Sequence, residues 1–176
     1  MNIISSAFGH YEIIGNPAQA DVIVAHSFGT CTDAFSANAA LAHFAVHYAE
    51  DANILAIVAD RTLANAFPRD THVEAIDGVI STATGKGLGT WGTWVKAKEF
   101  MDREGLHTPL VVAQACHVGR VARQGYKAGI TELVVPEGLP CQFDGKKTKQ
   151  RWTRSLGWWV PREVVGSFVL RAKGHL

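Results

Sequence analysis

Apolar residues in this chain fall into short unbroken runs, separated by longer stretches where they recur at helical spacing. Asp21-Val-Ile-Val-Ala-His26, Asn53-Ile-Leu-Ala-Ile-Val-Ala59 and Pro109-Leu-Val-Val-Ala-Gln114 are runs of strand length. They are continuous rather than alternating, the pattern of strands covered on both faces. Thr131-Glu-Leu-Val-Val135 reads as a further strand, stopped by Pro136, and another is expected at Val73–Ile76 or Gly78–Ile80. Between them a helix is predicted from about Asp33, as N-cap, to Glu50, with Phe35, Leu41, Phe44, Ala45 and Tyr48 inward. A short helix over Thr62–Phe67 ends before Pro68. Another helix runs from about Thr90 to Glu104 and closes on Gly105. The next runs from about His117 to Ala128 and closes on Gly129. Val118, Val121, Ala122 and Tyr126 would face inward, and Arg123, Gln124 and Lys127 outward. A C-terminal helical tail is expected at about 158–173, with Pro161 in its first turn.

Strands alternating with helices imply right-handed crossovers and a parallel sheet. The expected fold is α/β: a Rossmann-like three-layer sandwich with a mainly parallel central sheet, in one domain over 1–176. Such sheets bind ligands beyond the carboxyl ends of their strands. That rule gathers the loops 27–31, 60–62, 82–92 and 114–120 on one edge.

Composition adds mainly exclusions. The 176 residues carry a net charge of +1, with 47% hydrophobic and 19% charged residues. This is an ordinary globular balance without the basic excess of a duplex-binding protein, so no nucleic-acid partner is expected. Cys31, Cys116 and Cys141 are odd in number and far apart, with no CxxC pair, which suggests reduced thiols in a cytoplasmic protein rather than a zinc site or disulfide framework. No run approaches the ~20 apolar residues of a membrane span, and no signal peptide is recognisable, so no membrane partner is expected.

Several stretches on the predicted edge carry candidate chemistry. Gly87-Leu-Gly-Thr-Trp-Gly92 is a literal GxGxxG between a strand and a helix, where backbone N–H groups could close on a phosphate. The following strand ends in Gln114-Ala-Cys116 and lacks the acidic residue of a dinucleotide site. A tight loop needing glycine for backbone geometry is the competing reading. Ala25-His-Ser-Phe-Gly29 imitates a nucleophile elbow with alanine for the first glycine, but it follows the first strand rather than a later one. His43 and His47 share a helix face without a third ligand; an exposed pair, not a metal site, is the expectation. The basic stretch Lys146, Lys147, Lys149, Arg151 and Arg154 flanks Trp152 and reads as a solvated loop into a packed tail. His117 falls where a strand ends and a helix begins, a place for proton transfer. Arg120, one turn on, suits a phosphate or carboxylate.

These residues together resemble the YdcF-like family of domains of unknown function, which includes the SanA and ElyC proteins. Asp21-Val-Ile-Val is similar to the family's opening strand. Thr93-x-x-x-Ala97 resembles its threonine-led helix, His117-Val-Gly-Arg120 its H-x-x-R signature, and Arg162-Glu163 its C-terminal segment. The resemblance covers roughly residues 20–172. It implies a Rossmann-like domain with its site at the strand ends, and S-adenosylmethionine or another nucleotide as cofactor or ligand. By matching position it implies site residues Ser27, Gly29, Thr93, His117 and Arg120. The chain departs from the family pattern at Ala25-His-Ser-Phe-Gly29, where a glycine-rich end is usual.

The expectation is therefore a cytoplasmic protein binding a nucleotide-like or phosphate-bearing small molecule. Ser27, Gly29, Thr30, Arg61, Gly85, Lys86, Gly87, Gly89, Thr93 and Arg120 would bind it, and His117 with Ser27 would act if there is catalysis. The alternatives are a hydrolase of ester or phosphoester bonds with His117 as acid/base, and a non-catalytic interaction module that pairs into a homodimer through Trp152, Trp158 and Trp159.

Overall fold

The computed structural model describes residues 11–31, 33–76, 79–81, 86–87, 89–148, 150–172 and 174, with only the backbone at 79–81, 86–87 and 146. The strands are β1 (Val22–Ala25), β2 (Ala56–Asp60), β3 (Glu74–Ile76), β4 (Val79–Ser81), β5 (Lys86–Gly87) and β6 (Pro109–Val112). Four of them form a parallel sheet in the order β3-β2-β1-β6, while β4 and β5 make a separate antiparallel hairpin. In β1, Ile23 lies beside Ile57 on one side and Leu110 on the other. All four β1 residues are fully buried, as their unbroken apolar run requires.

The helices are α1 (Ala37–Ala52), α2 (Arg61–Ala64), α3 (Gly89–Glu104), α4 (Ala115–Lys127) and α5 (Leu156–Ala172). α1 and α2 pack together on one side of the sheet; α3 and α4 pack together on the other. This is the expected α/β Rossmann-like sandwich. Close approach of α3 to α4 depends on Gly125, where a Cβ would lie 2.9 Å from Trp94 Cζ2. The Trp94 indole is itself anchored, donating to the Val121 carbonyl at 2.8 Å. No helix of the described residues is long and apolar enough to cross a membrane.

Several local expectations are corrected. α1 starts a turn later than Asp33: the Asp33 carbonyl accepts from Ser36 N–H in a turn, and the Ser36 hydroxyl caps the helix at Ala39 N–H. Phe35 lies in that turn and is exposed rather than inward. Thr131–Val135 is not a full strand. Val134 bridges β6 through Val111 and Pro109 at 2.8 and 2.9 Å, and Val135 bridges Ile14 on the far side. Pro136 offers no N–H to continue the ladder. In α4, Gln124 is buried and Tyr126 is half exposed, the reverse of the expected faces. α5 meets α4 at the Cys116 carbonyl, through Trp159, and at Arg120, through Glu163. Pro161 sits inside α5, not in its first turn, and leaves the Gly157 carbonyl without its helical donor.

Candidate functional site

The chain leaves β1 to lay β2 and β3 on one side, then returns to place β6 on the other. This reversal makes the carboxyl ends of β1 and β6 the crevice position at which open α/β sheets bind ligands, and here the side chains on both flanks are largely buried. His26–Gly29 form one wall and Ala113–His117 the other.

The β1 wall is fixed by its backbone. Ser27 N–H donates to Asp60 Oδ2 at 2.8 Å, while Asp60 Oδ1 caps α2 through the N–H groups of Thr62 and Leu63. Phe28 N–H donates to Asn38 Oδ1 at 2.7 Å. Gly29 has φ of +84°, and a Cβ there would lie 2.9 Å from Thr153 Oγ1, so glycine is required twice over. On the β6 wall, Gln114 accepts from Gln142 N–H at 2.7 Å and donates to the Ala37 carbonyl at 3.4 Å.

At the head of α4 a line of buried polar groups begins. Glu163 of α5 accepts from Arg120 Nε at 2.7 Å, and Arg120 NH2 lies 3.2 Å from His117 Nδ1. His117 Nε2 lies 3.3 Å from Thr90 Oγ1, in the first turn of α3. A guanidinium only donates, so His117 Nδ1 accepts. Burial, then the Arg120 charge, hold the His117 pKa well below the usual histidine range. The ring is therefore neutral at pH 7, with its single proton on Nε2, which donates to Thr90. Trp159 packs edge-on against this ring at 5.2 Å between centroids and donates its indole N–H to the Cys116 carbonyl at 3.3 Å. Phe28 closes the other side of Trp159 at 4.7 Å.

His26 lies beside this line. It is fully buried against Trp94, at 5.1 Å between ring centroids, and neither ring nitrogen has a hydrogen-bond partner. Burial, then Arg120, push its pKa down to about 3.

Of the residues expected from the sequence, His117 and Arg120 are brought into one network. Ser27 and Gly29 line the opposite wall, and Thr30 is exposed at its rim. Arg61 opens α2 at the end of β2. The Thr93 hydroxyl turns back to the Gly89 carbonyl at 3.1 Å and is internal to α3. The glycine-rich stretch is divided: Gly87 ends β5, and Gly89 opens α3 with φ of +60°. Gly85 lies outside the described residues, and Lys86 is described by its backbone alone. Arg120 is not a free cation for a ligand, because Glu163 neutralises it. Thr90, His26 and Trp159 were missed. Thr90 stands inside the GxGxxG, a pattern that marks backbone geometry at its glycines and carries no signal for the hydroxyl between them.

His43 and His47 are exposed on α1, with His47 3.8 Å from Asp51. Among the described residues no group of three His, Cys, Asp or Glu is arranged to hold a metal ion. No family model matches the chain, and neither a curated protein nor a solved structure was found to match it.

Proposed function

We propose that the protein binds a nucleotide-like or phosphate-bearing small molecule in the β1–β6 crevice, as a YdcF-like protein would, with S-adenosylmethionine among the candidates. The observation that carries this reading is the donor line from Arg120 through neutral His117 to Thr90. Each group passes polarisation to the next, so the Thr90 hydroxyl is left to donate outward from the first turn of α3. The positive end of a helix dipole favours an anionic oxygen at that place.

The same geometry speaks less well for a hydrolase. His117 Nδ1 is spent on Arg120, and Nε2 carries a proton toward Thr90, so no lone pair is left to take one from Ser27. A thermal-shift screen of S-adenosylmethionine, adenine nucleotides and inorganic phosphate tests the binding reading. A ligand at a hundredfold excess over its Kd contributes about 2.7 kcal/mol, which raises the melting temperature by about 5–10 °C in a chain of this length. Thr90→Val should reduce that affinity about tenfold, read as a smaller ligand-induced shift, and, because it leaves the buried His117 Nε2–H without its acceptor, should also lower the ligand-free melting temperature by a few degrees. A well-folded sample that none of these ligands shifts would overturn the reading.

The interaction-module reading keeps one specific support. Trp159 is buried in the site, but Trp158, Val165, Phe168 and Val169 project from α5 with exposures of 48–63%. A second copy covering that face would make a homodimer. Light scattering is then expected to give twice the monomer mass, and Phe168→Asp to halve it; a monomer at high concentration rejects the pairing.

A further inference from the structure

Cys116 and Cys141 are 25 residues apart in sequence and adjacent in the fold. The segment 140–142 is laced to the head of α4 on both sides of them. Ala115 N–H donates to the Pro140 carbonyl at 2.8 Å, and Gln142 N–H donates to Gln114 Oε1 at 2.7 Å. These two bonds set Cys141 alongside Cys116. Cys116 is buried and Cys141 is exposed, and the two thiols are hydrogen-bonded. Cys141 Sγ also accepts the backbone N–H of Cys116, an N–H in the first turn of α4 that has no intrahelical carbonyl to reach.

From this arrangement we infer that Cys141 is a reactive thiol toward hydroperoxides and that Cys116 resolves it, forming a reversible intrachain disulfide at the head of α4. The chemistry is the attack of a thiolate on an O–O bond. Cys141 sulfur forms an S–O bond as the O–O bond breaks. The departing oxygen takes a proton and leaves as an alcohol, or as water from hydrogen peroxide. Cys141 is then a sulfenic acid. Cys116 loses its proton, and its sulfur attacks that of Cys141. The S–S bond forms, the S–O bond breaks, and the hydroxide leaves as water. In sum, two thiols and one hydroperoxide give one disulfide, one alcohol and one water.

The division of labour follows from the surroundings. The S–H of Cys116 and its backbone N–H both stabilise negative charge on Cys141, holding that thiol down to about 6. Donating that bond, and then burial, push the Cys116 thiol up, so it stays protonated until a sulfenic acid is presented to it. Cys31 is also buried and, among the described residues, has no cysteine partner, which makes it an internal control.

The test uses the full chain with hydrogen peroxide as the probe, followed by alkylation and peptide mass mapping. The expected product is a Cys116–Cys141 linked peptide lighter by two hydrogens, reversed by dithiothreitol, with Cys31 still reduced. Cys116→Ala should accumulate a dimedone-trapped sulfenic acid on Cys141, which the parent chain does not, and Cys141→Ser should give neither product. Alkylation kinetics provide a measurement that needs no variant. At pH 6 iodoacetamide should modify Cys141 about tenfold faster than an ordinary cysteine peptide, because the larger thiolate fraction outweighs the lower intrinsic nucleophilicity. A folded parent chain that gives no linked peptide, oxidises Cys31 as fast, or alkylates at the peptide rate would overturn the inference. None of these readouts depends on the ligand proposed for the crevice.

Discussion

Two histidines at the strand ends are uncharged, and the molecule is tuned around that state. His26 is the sharper case: its ring is buried against Trp94 with both nitrogens unpartnered. The unfolded value of a histidine is about 6.5. The folded value, about 3, is lower, so below pH 6.5 the unfolded chain binds the extra proton and stability falls. The contribution is fully present above pH 6.5 and is lost progressively as the pH drops toward 3. Between pH 7 and pH 5 His26 alone removes about 2 kcal/mol. His117 shifts in the same direction and adds to the loss. Urea unfolding from pH 7 to pH 5 should show the decline, and His26→Leu should flatten it by about that amount without loss of stability at pH 7. An unchanged pH slope in His26→Leu would refute the assignment. At this scale the sequence marks His117 by its place after an apolar strand, and it marks His26 only as part of an elbow-like string. That His26 is buried without a partner depends on Trp94, which arrives from α3.

At the scale of elements, α5 is joined to α4 through the Arg120–Glu163 pair. Both side chains are about nine-tenths buried or more, and their bond is 2.7 Å. Removing one partner leaves a buried, uncompensated charge, and Glu163 Oε2 already has no hydrogen bond. Arg120→Ala is expected to cost about 3–5 kcal/mol in urea unfolding, whereas Arg120→Met combined with Glu163→Leu should recover most of that. A double variant as unstable as Arg120→Ala would mean that packing, not charge, governs the contact. The helices themselves are legible from their periodicity: α3 begins within a residue of its predicted start, and α5 within two. Their orientation is less so. Gln124 looks like a surface residue on α4 and Tyr126 like a core one, and their burial is the reverse. Amphipathic spacing reports burial against the sheet, and it carries no information about a later helix that packs on the helix.

At the scale of the whole molecule, the sequence by itself determined the class of fold. Unbroken apolar runs of strand length can only be buried on both faces, and helices between them leave a parallel sheet as the solution. A parallel sheet in turn fixed the edge to watch, since ligands bind beyond the carboxyl ends of its strands, while the strand order, with its reversal between β1 and β6, came from the tertiary structure. The tertiary structure decided what stands there. It turned Arg120 from a candidate ligand for phosphate into the partner of Glu163, 43 residues later. It brought Thr90 from the glycine-rich stretch onto His117, and it set Cys116 against Cys141. None of these pairs lies within one element, so no periodicity or local motif records them. They exist because three-dimensional packing brings together side chains whose separation along the chain says nothing of their distance in space.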